Sequence, residues 1–577
     1  MTYGAAVTDV TGDGYFEVVV ATYSGSNLIL SYDHKIHALK NIAVTGSPHE
    51  AVMDPEGHAV GVAACDVDGD GREEIYILNS NSDIKKRENH GDKLFKYVDN
   101  RFVDLLSNSV NSWIREVAHV GHSVTCIDRK GTGLYAFAVM TSMLNGTERF
   151  LLIEMDKSHP DNNIISGPIV FRDVAKDAGI DMATSGRGIA IGPILGTDGR
   201  SDIFVNVDGD QNKNGENKLF MNIGEGKFRN VARQLGLTDE NQRGRDVVLG
   251  DINQDGLMDI VAGNWLGSHR LFIQQVTSYS QNVKFIDMAT SKMQDSSALC
   301  SLAMADFDND GHSEILFNNA LYYKPGPNRL FRVNITTTSA ERQDLNITKI
   351  DIGEALEPRA YSTGSVVTDI DRDGVLDILI THGESISHSM TAYSARSKKR
   401  TRGDLASNGS TINSKVMLLN NYTRNMFGNE SLSLPRNENF WVRIIPKTRF
   451  EAPARGAKVT LVLAGGKWMT QVIGVGSGYR GQMEPVAHFG IGRKTDVLLL
   501  EVQWPDGRVY QKTMGVEDVN RVHDIPWSSL YKETSIFPSK NVDKNLRRRT
   551  GSAGRVNTSI GFVLLVHISV GIVLFYM

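Results

Sequence analysis

The 577-residue sequence predicts an all-β fold, in which a seven-bladed β-propeller is followed by a small β-rich domain and a C-terminal hydrophobic helix. Two observations predict the propeller. A short acidic motif that contains glycine recurs roughly every 60 residues, which is typical of a modular array. An apolar, β-rich run follows each clear copy, and about four short strands fit in one repeat, which is the size of a propeller blade.

The repeats divide the first part of the chain into seven units. Their template is D-x-[D/N/T]-x-D-G-x-x-[D/E], whose nine positions we number from the first aspartate. We call the seven motif segments loops 1 to 7; the clear copies begin at Asp9, Asp66, Asp251, Asp306 and Asp369, and worn copies lie after Cys126 (loop 3) and from Gly196 (loop 4). The predicted domains are a propeller over 1–425 with an insertion at about 384–413, a second domain over 438–525, a linker over 526–559 and a hydrophobic tail over 560–577.

The clear motifs have the residue types of calcium loops. Oxygen ligands at positions 1, 3, 5 and 9, with the carbonyl of position 7, surround a hard cation, and the glycine at position 6 permits a sharp turn. The predicted ligands are Asp9, Thr11, Asp13 and Glu17 in loop 1; Asp66, Asp68, Asp70, Arg72 and Glu74 in loop 2; Asp251, Asn253, Asp255, Leu257 and Asp259 in loop 5; Asp306, Asp308, Asp310, His312 and Glu314 in loop 6; and Asp369, Asp371, Asp373, Val375 and Asp377 in loop 7. We expect about four to five structural Ca²⁺ sites, each coupled to the stability of its blade.

The alternative for each loop is a solvated acidic turn, because Asp-Gly is itself a turn signal. Five matches to one ligand template favour the metal. Loops 3 and 4 lack carboxylates at most ligand positions, and we expect them to bind none. A further run, Asp208-Gly-Asp210-Gln-Asn212-Lys-Asn214, is an additional candidate for a cation.

An EF-hand also begins D-x-D-x-D-G, but it needs a bidentate glutamate at loop position 12 and flanking helices. Position 12 is occupied here by apolar residues in strand-like runs, namely Ile77, Ala262, Phe317 and Ile380. The sequence therefore excludes the EF-hand.

Charge and cysteine content narrow the class of protein. The chain has 62 Lys and Arg against 67 Asp and Glu, which gives no electrostatic case for binding nucleic acid. Three cysteines are too few for a disulfide scaffold. Cys65 and Cys126 precede matching loops, so they either face each other on neighbouring strands or remain buried thiols.

The motifs carry a family resemblance. The repeats resemble FG-GAP/VCBS repeats, the Ca²⁺-loop blades of integrin α-chain propellers. Four later segments resemble the ASPIC/UnbV domain: R-G-A-K-V from Arg455, G-S-G-Y from Gly476, H-F-G-I-G from His488 and V-Q-W-P-D-G from Val502. The order of repeats and then ASPIC/UnbV, with G-R-E-E-I-Y from Gly71, L-E-P from Leu356 and M-E-P-V-A-H-F-G from Met483, is similar to the cartilage acidic protein-like family over about residues 3–525.

This resemblance implies an extracellular, non-enzymatic, calcium-binding propeller that acts in cell-surface or matrix binding and adhesion, with an extracellular protein or glycan as ligand. The chain departs from the family at both ends. A signal peptide and an opening strand are missing, so we expect Met1 to start inside a blade, as in a truncated gene product. An apolar tail replaces the Cys-rich EGF-like end, so nothing that rests on that module carries over.

The tail, Ile560–Met577, has 18 residues without Lys, Arg, Asp or Glu. With the small residues Gly551-Ser552-Ala553 upstream, it resembles a GPI-attachment signal on a protein at the outer cell surface. The alternative is a spanning helix or a tail anchor, with arginines 547–549 and 555 beside it. Seven N-x-[S/T] sequons favour the extracellular side and predict glycosylation at Asn145, Asn334, Asn346, Asn408, Asn421 and Asn429, the seventh being Asn557 beside the tail.

Arg402-Gly403-Asp404 is an RGD tripeptide in the polar insertion and a possible integrin motif. So short a motif also arises by chance. We find no P-loop, G-x-S-x-G or H-E-x-x-H motif and predict no catalytic residue. A Ca²⁺-dependent lyase or hydrolase of polysaccharides is the alternative function, because the fold alone does not decide the activity.

Overall fold

The structure is a computed structural model. It describes residues 1–23, 25–80, 90–115, 119–143, 148–159, 169–182, 186–196, 198–209, 215–240, 242–276, 283–320, 326–339, 342–357, 361–383, 416–418, 439–464, 467–474, 479–493 and 497–527. The hydrophobic tail at 560–577 lies outside these residues. Within them, no helix is both long and apolar enough to cross a membrane.

Seven antiparallel sheets follow one another along the propeller, each built from consecutive strands in chain order. The first three sheets contain β1 (Thr2–Thr8), β2 (Glu17–Thr22), β3 (Leu28–Asp33) and β4 (Ala38–Asn41); β5 (Ala59–Cys65), β6 (Glu74–Asn79), β7 (Lys93–Val98) and β8 (Arg101–Asp104); and β9 (His119–Ile127), β10 (Ala136–Met143), β11 (Glu148–Met155) and β12 (Phe171–Asp173). The next two contain β13 (Gly186–Gly192), β14 (Asp202–Val207), β15 (Lys218–Gly224) and β16 (Lys227–Asn230); and β17 (Gly244–Gly250), β18 (Asp259–Asn264), β19 (Arg270–Val276) and β20 (Val283–Asp287). The last two contain β21 (Leu299–Ala305), β22 (Glu314–Asn319), β23 (Arg329–Ser339) and β24 (Arg342–Ile350); and β25 (Ser362–Thr368), β26 (Asp377–His382) and β27 (Val416–Leu418).

Short helices connect some of these strands. The α-helices are α1 (Ser112–Arg115), α2 (Ala175–Ala178), α3 (Ala232–Leu235) and α4 (Ser291–Gln294), and the 3₁₀ turns span Glu50–Met53, Leu105–Ser107, Ser109–Asn111, Gly353–Leu356 and Val516–Asp518. The fold is therefore all-β, as predicted.

The seven sheets close into a ring. The first strands contact one another in chain order, from β1 to β5, β9, β13, β17, β21 and β25, and β25 in turn contacts β1. Seven clusters of buried apolar side chains each combine residues of two neighbouring blades. Because both faces of a blade are buried in this way, the second strands read as continuous apolar runs rather than as alternating ones. The predicted seven-bladed propeller is confirmed.

The smaller domain follows the ring and has its own apolar core, which includes Val459, Phe489 and Trp504. We call its described residues between 439 and 527 the cap. The cap strands are β28 (Phe440–Pro446), β29 (Lys458–Leu463), β30 (Trp468–Val472), β31 (Gly481–Gln482), β32 (Ala487–Gly492), β33 (Val497–Gln503), β34 (Val509–Thr513) and β35 (Arg521–Ile525). They form the sheets β32-β28-β35 and β30-β29-β33-β34, while β31 joins the first propeller sheet.

One segment of the cap enters the propeller. Residues 479–484, which we call the plug, contain β31, and this strand pairs in parallel with β1 through Ala5 and Gly481. Gln482 accepts a hydrogen bond from the backbone N–H of Ala64 at 2.7 Å and donates to the Ala64 carbonyl at 3.1 Å. Because β31 contacts the first strands of blades 1, 2 and 7, the plug lies in the central channel of the ring.

Cys65 and Cys126 form a disulfide between β5 and β9, with their Cα atoms 6.3 Å apart. The sequence had left open whether these residues pair or remain thiols. The bond joins the first strands of blades 2 and 3. Cys300 is a buried free cysteine.

Candidate metal sites

Each acidic loop connects the first strand of a blade to the second, so all seven lie on one face of the ring, which we call the loop face. In loop 2, Asp66 at position 1 accepts hydrogen bonds from the backbone N–H groups of Gly69 at 2.6 Å and Gly71 at 3.1 Å. Asp70 at position 5 accepts one from Arg72 N–H at 2.9 Å. The carboxylates at positions 1 and 5 therefore hold the loop backbone in a tight turn.

The carboxylate at position 9 closes the loop by accepting a hydrogen bond from the backbone N–H of position 2. The same bond recurs in all five clear loops, as Val10 to Glu17, Val67 to Glu74, Ile252 to Asp259, Phe307 to Glu314 and Ile370 to Asp377. Position 9 is also the first residue of the second strand, which fixes it at the sheet edge. In loop 5 the other oxygen of this carboxylate is engaged as well, because Asp259 Oδ1 accepts a hydrogen bond from the backbone N–H of Gln274 at 2.9 Å.

Glycine at position 6 is required by the backbone in all seven loops. Its φ lies between +73° and +90° at Gly14, Gly71, Gly133, Gly199, Gly256, Gly311 and Gly374. A residue with a Cβ is strained in this left-handed region. Loops 3 and 4, which lack most ligands, keep the glycine, so the residue serves the turn rather than the metal.

Three loops bring three carboxylates together. Oxygens within 4.8 Å of one another are offered by Asp66, Asp68 and Asp70; by Asp306, Asp308 and Glu314; and by Asp369, Asp371 and Asp377. Among the described residues, loops 1 and 5 do not bring three carboxylates this close, and each has a non-acidic residue, Thr11 or Asn253, at position 3. Hard oxygen ligands so arranged in loops 2, 6 and 7 fit Ca²⁺, which takes six to eight oxygens at about 2.3–2.6 Å.

Burial makes these carboxylates costly to ionise. It raises the pKa of Asp66 and Asp369 to about 7, and neighbouring carboxylates add to the effect. Burial likewise raises the pKa of Asp377 to about 9, with Asp371 and Asp369 adding to it. A bound divalent cation would reverse this balance by stabilising the ionised form.

Two loops already contain a basic side chain from their own blade. In loop 2, Lys96 Nζ lies 2.6 Å from Asp68 Oδ2 and 3.3 Å from Glu74 Oε1, and it also contacts Asp70. In loop 6, Arg332 Nε donates to Glu314 Oε1 at 2.9 Å and the guanidinium contacts Asp308.

The sequence analysis missed both bases, although a signal existed. Each base directly follows a Leu-Phe pair in the third strand. The strand register places Arg332 opposite Glu314, and Lys96 stands at the same place one residue after Phe95, which pairs with Ile75.

In the part of the chain that the structure describes, loops 3 and 4 form the turn without a carboxylate cluster. In loop 3, Asp128 accepts hydrogen bonds from Thr132 and Gly133, while the adjacent Arg129 pairs with Glu154. In loop 4, Asp198 pairs with Arg200. The hypothesis of a cation at 208–214 is weakened for Asp208, which forms ion pairs with Arg187, Arg243 and Arg245; residues 210–214 lie outside the described chain.

The cap docks on the loop face through the motifs that identified it in the sequence. From R-G-A-K-V, Arg455 Nε donates to Glu73 Oε1 at 2.6 Å in loop 2, and Lys458 Nζ donates to the carbonyl of Gly256 at 2.8 Å in loop 5. From H-F-G-I-G, His488 Nε2 lies 2.6 Å from Asn309 Oδ1 in loop 6. His488 is buried in this contact, which agrees with a structural role for that residue.

Two further contacts extend the interface to loops 3, 4 and 7. Near loop 7, the buried Arg443 donates to Glu484 at 2.8 Å and lies 3.6 Å from Asp369. From V-Q-W-P-D-G, the Trp504–Gly507 turn lies against loops 3 and 4: a Cβ on Gly131 would come within 2.7 Å of Asp506, and one on Gly199 within 2.3 Å of the Trp504 carbonyl. The face of the ring that contains the candidate metal loops is therefore also the surface on which the cap packs.

Two of the predicted glycosylation sites lie in one hairpin of blade 6. Asn334 and Asn346 face each other across the β23–β24 hairpin, the first half-buried and the second exposed. The other predicted glycosylation sites at 145, 408, 421 and 429, and the RGD at 402–404, lie outside the described residues.

Comparison with known families agrees with both parts of the fold. The FG-GAP-like repeat model matches residues 9–77 and 197–262, and the ASPIC and UnbV model matches residues 447–525. Cartilage acidic protein 1 of Mus musculus is 42% identical over 529 residues, which cover 91% of this chain and 74% of that protein. Its counterparts in Homo sapiens and Xenopus tropicalis are 42% and 41% identical, again over 91% of this chain and over 72% and 74% of their own lengths. The resemblance inferred from the motifs is confirmed, and the chain belongs to the cartilage acidic protein 1 family.

Proposed function

We propose that the chain is a calcium-stabilised extracellular binding protein without enzymatic activity, which presents the propeller and cap as one rigid surface in the matrix or at the cell surface. The observation that carries the calcium role is the recurrence of one hydrogen-bonded carboxylate loop in five blades. Buried carboxylates that repel one another destabilise the fold unless a cation compensates them. Metal binding is then coupled to folding.

Three features support an extracellular location. The Cys65–Cys126 disulfide is typical of oxidising compartments. The exposed Asn346 sequon is accessible to glycosylation. The relatives are named for cartilage. The C-terminal tail would anchor the chain either through GPI or as a helix, and release from cells by phosphatidylinositol-specific phospholipase C distinguishes the two.

The plug supports binding over catalysis. An enzyme that cleaves polysaccharides needs an open cleft with convergent acid and base groups. In this chain residues 479–484 lie within the central channel and occupy the space that such a cleft would use. Turnover of a matrix polysaccharide by the purified chain, abolished by substitution of a single carboxylate, would contradict the proposal.

Calcium binding is tested by isothermal titration of the chelated full chain. Asp308→Asn and Asp371→Asn, each at position 3 of a three-carboxylate cluster, are each expected to remove one bound Ca²⁺. The matched control Asp198→Asn in loop 4 leaves the stoichiometry unchanged, because Asp198 pairs with Arg200. Equal Ca²⁺ binding by all three variants would refute the assignment of the loops.

Adhesion is tested with cells plated on the immobilised chain. We expect attachment with Ca²⁺ and its loss on chelation. The conservative substitution Asp404→Glu tests whether an integrin reads the RGD, because it keeps the charge and changes the reach of the carboxylate. Attachment that survives Asp404→Glu assigns binding to another surface, and attachment that is absent under all conditions argues against the adhesive role.

A further inference from the structure

The plug carries an arginine to the end of the central channel that is remote from the loops. Because β31 runs parallel to β1, and loop 1 follows the end of β1, the residues before Gly481 lie toward the starts of the first strands. The Arg480 guanidinium lies 4.8 Å from the ring centre of Tyr3 and 4.6 Å from that of Tyr479. A cation this close to two aromatic rings is attracted by the faces of both.

Arg480 has no carboxylate partner among the described residues. The neighbouring groups are instead aromatic rings, those of Tyr3 and Tyr479. Its Nε is buried and has no hydrogen-bond acceptor in this part of the chain. A partly buried guanidinium whose Nε is shielded from water and has no counter-ion is costly, and it is therefore unusual unless a ligand supplies the anion.

Three buried arginines of this protein show the contrast. Arg443 pairs with Glu484, Arg455 with Glu73, and Arg129 with Glu154. Each of these arginines holds a structural contact between elements. Among the described residues Arg480 has no carboxylate partner of this kind, which points to an anion from outside the chain.

The surroundings of Arg480 are aromatic and within reach of solvent. Trp265, Cys300 and Tyr361 pack in one cluster, and Tyr3, Tyr361 and Arg480 are half-buried rather than enclosed. Arg245 lies 5.0 Å from the Trp265 ring and 2.6 Å from Asp208. Tyr and Trp rings combine an apolar face with a polar edge, which suits a ligand that is apolar on one side and hydroxylated at its rim.

We propose that this channel end, the arginine mouth (Tyr3, Arg245, Trp265, Tyr361, Tyr479 and Arg480), binds an acidic saccharide. The carboxylate or sulfate of the sugar pairs with Arg480, whose planar fork matches such groups, and the sugar ring lies against the tyrosines. An acidic peptide offers the charge but not a hydroxylated ring, so the aromatic lining favours the saccharide. The proposal deepens the extracellular binding role proposed above and rests on it.

The test uses the full chain in saturating Ca²⁺ and isothermal titration with four probes. These are a sulfated hexasaccharide that contains uronic acid, its desulfated and carboxyl-reduced counterpart, inorganic sulfate and a hexaglutamate peptide. We expect the acidic hexasaccharide to bind at least tenfold more tightly than each of the others. Arg480→Gln is expected to weaken that binding at least tenfold, while Arg521→Gln, an exposed cap arginine, leaves it unchanged.

Thermal denaturation separates binding from a structural role. Arg480→Gln removes an uncompensated charge, so its Tm stays level or rises while binding is lost. Tyr361→Ala keeps Arg480 and should weaken binding several-fold. The proposal is overturned by absence of binding to the wild type, by equal binding to Arg480→Gln, by equal binding of hexaglutamate, or by a lowered Tm in Arg480→Gln. Calcium stoichiometry is measured on the same samples, so failure of the mouth with intact Ca²⁺ binding leaves the proposed calcium role standing.

Discussion

Loops 2 and 6 and loops 5 and 7 have the same acidic template but obtain their basic neighbours from different places. Lys96 and Arg332 come from the third strand of the same blade. Lys458 and Arg443 come from the cap. The predicted ligands of loops 2 and 6 are therefore paired with a base of their own blade, although Arg455 of the cap also pairs with Glu73, a loop 2 residue that is not a predicted ligand. The basic neighbours of loops 5 and 7 come from the second domain.

The largest expected effect is that of calcium removal. At a free Ca²⁺ concentration one hundred times Kd, each site adds about 2.7 kcal/mol to the free energy of unfolding. The four sites of loops 2, 5, 6 and 7 together should therefore shift the Tm by on the order of 10 °C. Hydrogen exchange should show lost protection in loops 5 and 7 and in the facing cap strand β29, with loops 3 and 4 unchanged. An unchanged Tm after chelation would contradict the structural role of the metal, and unchanged exchange in β29 would remove the proposed difference between the loop pairs.

Removal of one cap cation should have the next largest effect. Arg443 is 5% exposed and faces Glu484 and Asp369, so Arg443→Met leaves buried carboxylates without their partner. The cost should be about 3 kcal/mol. Differential scanning calorimetry measures the fall in Tm, with Arg521→Met at an exposed cap position as control. Equal Tm values for both variants would show that the cap does not depend on this cation.

Without metal, stability should fall as the pH rises. Burial raises the pKa of Asp66 and Asp369 to about 7, from an ordinary value near 4. A raised native pKa means that the protonated carboxyl stabilises the fold fully below about pH 4 and that this contribution is lost through pH 7. With Ca²⁺ the trend reverses, because the ligands must be ionised. Thermal melts from pH 5 to pH 8, with and without chelator, measure both slopes, and parallel slopes would contradict the metal assignment.

The sequence predicted those parts of the molecule that depend on local chemistry. The loop template predicted the number and position of the blades, because position 9 starts the second strand and position 6 needs a positive φ. The sequence did not predict the plug, because nothing local in G-S-G-Y indicates that the following residues pair with a strand more than 470 positions earlier. The partners of Arg443 and Lys458 were missed for the same reason: they arise only once the cap is docked.

The smallest expected effect tests whether an internal base competes with the metal. Lys96 contacts Asp68, Asp70 and Glu74, three of the predicted ligands of loop 2. Lys96→Met keeps the aliphatic stem and removes the charge, so Ca²⁺ should bind loop 2 about tenfold more tightly, which corresponds to about 1.4 kcal/mol. Lys349→Met, at an exposed position of β24, is the matched control.

Calcium titration of both variants resolves two arrangements of loop 2. If the Ca²⁺ affinity rises in Lys96→Met alone, the lysine and the ion compete for the same carboxylates. Binding of Ca²⁺ to loop 2 then displaces the ammonium group of Lys96, and we expect the same of Arg332 in loop 6. If affinity falls, Lys96 instead supports the loop around a bound ion. In that case the basic residues of loops 2, 5, 6 and 7 all support a loop around its ion. The two pairs of loops then differ only in whether the basic side chain comes from the blade or from the cap.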